Sequence, residues 1–470
     1  MKSTRKVVVL GLDCAPPALV FEAWKSELPN LRSLMDHGLY GRLRSSHPPI
    51  TVPAWSSMMS SKSPGKLGFY GFRNRKDFSY EGLVFANSAA VKEDRVWDIL
   101  SRAGKKAILI GVPQTYPVKP LNGLVITDFL TPSTDSDYTY PKELRSEIEA
   151  LVGTYLLDVE GFRSENKDEI LRQIYEMTEK RFKLARHFIQ TRPWDFFMMV
   201  EMGPDRIHHG FWKYMDPTHP KHEPGNPYQH AIRDYYRFLD REIGRFLELL
   251  DSQTAVFVVS DHGAKKMEGG ICVNEWLIRE GYLHLKAYPK KISRFEEVQV
   301  DWSRTQAWGE GGYYSRIFIN VRGREPEGVV SPSEYESLRD ELIRKLEGLG
   351  DEKGRAIGTK VYRPEELYPV LNGIPPDLFC YFGNLDWRSV GSIGIGKVHT
   401  YENDTGPDDA NHDWDGIFIL RDGKPRGGIE LQGLELRDVA PTILEQLNLP
   451  VPSDMEGRSV LSKLSEASVT

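Results

Sequence analysis

Runs of consecutive apolar residues punctuate this chain, and each ends at a polar or turn-forming residue. Lys6-Val7-Val8-Val9-Leu10-Gly11-Leu12 leads into Asp13, and Thr254-Ala255-Val256-Phe257-Val258-Val259-Ser260 leads into Asp261-His262-Gly263. Apolar, β-branched runs without polar alternation predict central parallel strands covered on both faces. Lys106-Ala107-Ile108-Leu109-Ile110-Gly111-Val112, closed by Pro113, and Trp194 to Met202 read the same way. Between these runs the apolar spacing becomes helical. Leu28, Leu31, Leu34 and Met35 share a face within 28–39, and a long helix is expected from about Lys167 to Thr191. Ile232, Tyr235, Leu239, Ile243, Phe246 and Leu250 mark a helix over 228–250, and Asn274 to Gly281 is a short helix stopped by glycine. Strand alternating with helix predicts an α/β fold: a doubly wound, mostly parallel sheet with helices on both faces.

The pattern changes from about Tyr288 to Leu371. Arg316 to Val321 is strand-like and Ser333 to Leu349 is helical with a charged face, which predicts a small α/β insertion over the main sheet. Asp377 to Phe382 and Gly416 to Leu420 are expected to return to the core, and a helix over Leu436 to Leu447 closes the chain. The predicted organisation is a core at 1–287, an insertion or cap at 288–371, and a return to the core at 372–470.

A chain of 470 residues, 27% charged and 40% hydrophobic, buries a large core and excludes wholesale disorder. Its net charge of −6 argues against binding long nucleic acid, while leaving room for a small phosphorylated substrate. Cys14, Cys272 and Cys380 share no redox or metal-binding spacing, which fits a reducing cytoplasm. No apolar run is long enough to span a membrane. The start, Met1 to Lys6 followed by apolar residues, raises a signal peptide, but Asp13 and Pro16-Pro17 favour a first core strand.

In open α/β sheets ligands sit beyond the carboxyl ends of the strands. Asp13, Asp261 and His262 arrive there together. Gly203-Pro204-Asp205-Arg206-Ile207-His208-His209 follows the third strand, and one helical turn separates Asp205 from His209. Asp408-Asp409-Ala410-Asn411-His412-Asp413 adds a further imidazole. Asp13, Asp205, His209, Asp261, His262 and His412 are oxygen and nitrogen donors enough for two divalent cations, of the kind zinc, manganese or iron accept. Taken singly, each has an ordinary reading: a strand-end Asp caps a helix, and a lone His lies on a helix face. The nucleophile candidate is Thr51 in Pro48-Pro49-Ile50-Thr51-Val52-Pro53, where Pro53 suits a first helical turn and the helix start favours a phosphoryl oxygen. Its alternative is an N-capping threonine with no chemistry. Cys14 reads as a small buried residue at a strand end.

Gly11-Leu12-Asp13, Pro49-Ile50-Thr51-Val52-Pro53, Asp205-Arg206-Ile207-His208-His209, Ser260-Asp261-His262-Gly263 and Asn411-His412-Asp413 occur in this order. Together they resemble the alkaline phosphatase superfamily, in its type I phosphodiesterase/nucleotide pyrophosphatase branch. The resemblance implies that Asp13, Thr51, Asp261 and His262 surround one metal and Asp205, His209 and His412 hold the other, usually zinc. It implies hydrolysis of phosphate esters through a phospho-threonine. Thr51 and Trp55 stand where sulfatases of the superfamily carry their cysteine or serine and their arginine, which argues against sulfatase activity. Members of the branch often place a phosphoryl-binding asparagine beyond the threonine. Asn74 is the nearest counterpart, with Arg73, Arg75 and Lys62 as basic alternatives. Tyr313 lies in the glycine-rich segment Trp308 to Tyr314, which has the freedom of a substrate loop. The rival readings are a phosphomonoesterase on the same site and a non-catalytic metal-binding protein.

Overall fold

The computed structural model describes residues 5–467; the extreme start of the chain, weighed above as part of a signal peptide, lies outside them. Ten strands form the main sheet. At its centre Val7–Leu12 pairs in parallel with Phe196–Glu201 on one side and Ala255–Val259 on the other. Ala107–Ile110 and Gly123–Ile126 continue the parallel array beyond Phe196–Glu201. Every residue of the three central strands is buried, as a sheet covered on both faces requires.

Two groups of helices provide that cover. Lys167–Thr191, Gly203–Met215 and Ala231–Leu247 pack on one another, with Pro29–Asp36 against the last. Thr51–Ser60 and Val96–Arg102 both pack against Val439–Gln446. Gly11 lets the first of these close on the sheet, because a Cβ there would meet the Trp55 ring at 2.5 Å and Val200 at 2.9 Å.

Several elements differ from expectation. The helix ends at Asp36, and Leu39–Arg44 is a strand of the main sheet. Asp415–Arg421 does return to that sheet, but antiparallel to Ala255–Val259 and to Leu39–Arg44. Leu378–Tyr381, expected in the main sheet, instead pairs with Ser315–Ile319 and Lys360–Tyr362 in a separate four-stranded sheet with Ala307–Glu310. Its apolar pattern demanded burial without specifying which sheet supplied it. Leu338, Leu342 and Leu346 of helix Tyr335–Glu347 join this second core, which draws on residues from Ile271 to Val398 and is wider than 288–371 on both sides.

The second core leaves and re-enters the first through a short ribbon. Gly263–Lys266 pairs antiparallel with Ala410–Asp413, setting Ala264 opposite His412. A largely aromatic cluster, Tyr70, Tyr314, Tyr368, Phe379, Tyr381 and Trp414 around Ile50, ties the small sheet to the segment before Thr51. Among the described residues no helix is long and apolar enough to cross a membrane.

Candidate metal centre and active site

Strand ends, one helix start and the ribbon converge on a single buried region. Two groups of donors meet there. The ligand atoms of Asp13, Asp261 and His262 lie within 4.8 Å of one another, as do those of Cys14, Asp205, His209 and His412. Parallel register explains the first group, since Val7–Leu12 and Ala255–Val259 run side by side and end together. Asp205 and His209 sit on the first turns of Gly203–Met215, which follows the neighbouring strand.

Each imidazole is held from behind. His209 Nδ1 lies 2.7 Å from Asp408 Oδ1, His412 Nδ1 2.8 Å from the Pro49 carbonyl, and His262 Nδ1 3.1 Å from the Gly263 carbonyl. These oxygens only accept, so each Nδ1 carries a proton and each Nε2 turns its lone pair inward when the ring is neutral. His262 and His412 stack at 3.8 Å between ring centroids, and Tyr313 stacks on His412 at 4.0 Å.

Within the two groups four atoms make no well-directed hydrogen bond, Asp13 Oδ1, Asp261 Oδ2, His209 Nε2 and His412 Nε2, with Asp261 Oδ2 standing 3.2 Å from His262 Nε2 and His209 Nε2 3.3 Å from Asp205 Oδ1. A buried polar atom left unpaired costs about 1–3 kcal/mol. Four together, all lone-pair donors and all in the two groups, fit the coordination of divalent cations.

Electrostatics agree. Burial, then the charge of Asp205, pushes the Asp13 carboxyl well above its usual range, and burial with Asp13 does the same to Asp261. Burial works to raise Asp205 too, but His209 and Arg206 outweigh it and hold that carboxyl well below. His209 is raised despite burial, by Asp408, Tyr313 and Asp205. Burial lowers His262 to about 4 and, with His262 and His209 adding to it, holds His412 well below its usual value. Burial is the largest cause throughout, and repulsion among the clustered carboxylates adds to it for Asp13 and Asp261.

Thr51 is the first residue of helix Thr51–Ser60, 2% exposed, with Oγ1 3.4 Å from His262 Nε2. The first intrahelical bond there is Ala54 N–H to the Ile50 carbonyl, so the N–H groups of Thr51 and Val52 precede it. Thr51, Asp205 and His412 line a cavity of about 460 Å³, with Phe72, Phe85, Phe129 and Phe162 on its walls. Arg73 and Tyr313 also line it, Arg73 Nη2 standing 4.0 Å from Glu310. Asn74 does not. Its carbonyl accepts from Tyr70 N–H at 2.7 Å and its amide donates to the Gly71 carbonyl at 3.1 Å, so both ends serve the local turn. Arg75 is paired with Glu325 at 3.0 Å and Lys62 with Asp454 at 2.7 Å, which removes them as well.

Sequence reasoning missed the residues behind the donors. Trp55 Nε1–H donates to Asp13 Oδ2 at 2.7 Å, and its place one helical turn beyond Thr51 was a legible signal. Asp408 is clamped by Arg388 at 2.6 Å and Arg163 at 3.1 Å, and Arg163 donates to the Tyr313 hydroxyl at 2.6 Å. Arg206 holds Asp158 through two bonds of 2.7 Å and also bonds Asp205. Apart from the adjacent Asp205 and Arg206, nothing in the local sequence joins these partners.

Comparison with known proteins adds the following. The profile of the type I phosphodiesterase/nucleotide pyrophosphatase family matches residues 7–408. No curated protein matches the chain by sequence. Among solved structures, human ectonucleotide pyrophosphatase/phosphodiesterase 5 is 12% identical, with a TM-score of 0.58 over 98% of this chain and 99% of that one. An inactive threonine-to-alanine variant of the murine protein, in complex with AMP, is 11% identical with a TM-score of 0.57 and the same coverage. Phosphonoacetate hydrolase from Sinorhizobium meliloti 1021, in complex with phosphonoformate, is 14% identical with a TM-score of 0.59 over 95% of each chain.

Proposed function

The chain belongs to the type I phosphodiesterase/nucleotide pyrophosphatase family, a group of phosphoric ester hydrolases, and from that premise we propose that it cleaves small phosphate diesters through a phospho-threonine on Thr51. The carrying observation is the position of Thr51, buried at a helix start with its hydroxyl 3.4 Å from His262 Nε2 and lining the cavity with Asp205 and His412. In this reading Asp13, Asp261 and His262, with the Thr51 hydroxyl, would hold one cation, and Asp205, His209 and His412 the other. Bound there, two cations would lower the pKa of the hydroxyl and offset charge building on the phosphoryl oxygens.

The remaining work falls to the chain itself. In the first displacement Thr51 Oγ1, having lost its proton, bonds to phosphorus as the bond to the leaving alkoxide breaks, and that alkoxide takes up a proton. In the second, a water oxygen bonds to phosphorus, the Thr51 ester bond breaks and Thr51 regains a proton. The helix start presents unpaired N–H groups and the positive end of its dipole to the phosphoryl oxygens. Arg73 and Tyr313 are proposed to contact the substrate from the cavity wall, which is built partly by the insertion acting as a cap. The aromatic walls leave room for a second ester substituent, which favours diesters over monoesters.

Other features support the finer assignments. The neighbours bound to AMP and phosphonoformate point to a small phosphorylated substrate. The oxygen and nitrogen donors suit zinc first, with manganese or iron compatible. All three cysteines are free, in keeping with a reducing compartment such as the cytoplasm.

The test compares aryl phosphate mono- and diesters on metal-reconstituted protein. Diesters are expected to turn over with the higher kcat/KM. Thr51→Ala is expected to lower the rate by about 10³-fold or more while bound metal persists. A Thr51→Ala protein as fast as the parent would remove the nucleophile from this scheme.

A further inference from the structure

Cys14 is fully buried directly after Asp13 and has a backbone φ of +64°, in the left-handed region that favours glycine. A side chain carried at such a position costs backbone energy, and strain of this kind clusters at sites with work to do. Its Sγ lies within 4.8 Å of the ligand atoms of Asp205, His209 and His412. The thiol's own contact is a weak one, to the Gly263 carbonyl at 3.3 Å. Two further atoms point independently to a ligand in this group. His209 Nε2 and His412 Nε2 belong to side chains only 1% exposed, neither makes a well-directed hydrogen bond, and both face Asp205 Oδ1, at 3.3 and 3.7 Å.

From this geometry we infer that Cys14 is a fourth protein ligand to the cation held by Asp205, His209 and His412. The inference rests on the metal reading proposed above and makes it narrower. One carboxylate oxygen, two imidazole nitrogens and one sulfur form a mixed set suited to four-coordinate, borderline-soft ions. A thiolate shifts preference towards zinc or cobalt and away from manganese and magnesium, which favour oxygen. The other group, Asp13, Asp261 and His262, has no sulfur and carries no such bias. The two positions are therefore chemically unequal, and selectivity resides in the one that includes Cys14. When the cation enters, the Cys14 S–H bond breaks, a sulfur–metal bond forms and the proton leaves to solvent.

Cobalt(II) is the probe. The metal-free full-length protein is titrated with cobalt while near-ultraviolet absorption is followed, and bound metal is measured separately. A thiolate-to-cobalt charge-transfer band is expected in the parent protein. It should vanish in Cys14→Gly, which suits the left-handed backbone, and in Cys14→Asn as a second variant that also tolerates it. Cys272 and Cys380 remain in both variants, so loss of the band reports Cys14 alone. The preference for zinc over manganese in direct competition is expected to fall about 10-fold or more in either variant. Cobalt bound without a band, or a band that survives both substitutions, overturns the ligand and leaves the metal reading intact. Failure to take up cobalt or zinc at all overturns both.

Discussion

The three imidazoles of the centre each lean on an oxygen at Nδ1, and the carboxylate of Asp13 leans on the Trp55 indole. Such backing residues fix the direction in which a ligand points and usually contribute 10–100-fold to metal affinity. Trp55→Phe keeps an aromatic ring, though a smaller one, and deletes the N–H. It is expected to weaken metal binding by about 10–100-fold in a chelator competition assay, and unchanged affinity would show that Asp13 needs no such support. A pH effect belongs to the same scale. Asp13, Asp261 and His209 all stand above their ordinary pKa values, so each keeps its proton to higher pH than it would in solvent. Those protons must leave as a cation enters. Apparent metal affinity should therefore rise with pH, and calorimetry in buffers of different ionisation enthalpy should detect net proton release. The donors themselves were legible in the sequence, because each follows an apolar run, shares a helical turn with another or, as His412 does, stands just before such a run. Asp408, Arg163 and Arg388 were not, since their roles come from partners brought near only by folding, while Trp55 was signalled only by its place one turn beyond Thr51. Asn74 shows the converse: a polar residue soon after helix Thr51–Ser60 looks available until its turn is seen.

Among the elements, the contact between Val7–Leu12 and Thr51–Ser60 matters most. Gly11 is the point where the Trp55 ring lies against the sheet. Gly11→Ala would drive a methyl group into that ring, and an overpacked core contact of this kind costs about 1–3 kcal/mol. A lower denaturant midpoint is expected, together with a slower reaction, because the displaced ring carries the indole bonded to Asp13. A variant as stable as the parent would mean that the helix shifts freely and that its placement is not fixed at this point. Apolar patterning disclosed Val7–Leu12, Ala107–Ile110, Phe196–Glu201, Ala255–Val259 and the long helix Lys167–Thr191, but not Leu39–Arg44 or Gly123–Ile126. It did not disclose that Asp415–Arg421 runs antiparallel, because burial carries no information about direction. Nor did it assign Leu378–Tyr381 to the right sheet, since two cores in one chain ask for the same residues.

At the scale of the molecule, the centre joins the first core, the ribbon and the wall contributed by the second. Cations bridging these parts would stabilise the native chain by mass action, about 2.7 kcal/mol per site at a hundredfold excess over Kd. Chelation should lower the thermal midpoint by about 5 °C, with recovery on adding zinc, and a midpoint indifferent to chelator would place the donors outside the metal's reach. The ribbon of Gly263–Lys266 and Ala410–Asp413 has a consequence for how such a protein diversifies. It pinches the chain's exit into the second core and its return from it into one narrow neck, with His262 and His412 anchored at that neck. Much of what is strung between can lengthen, shrink or be exchanged, provided that Tyr313, Arg388 and Asp408, which lie within it and back His412 and His209, keep their places. New substrate preferences are thus open to evolution, or to an engineer grafting a foreign lobe, while the hydrolytic chemistry is inherited unchanged.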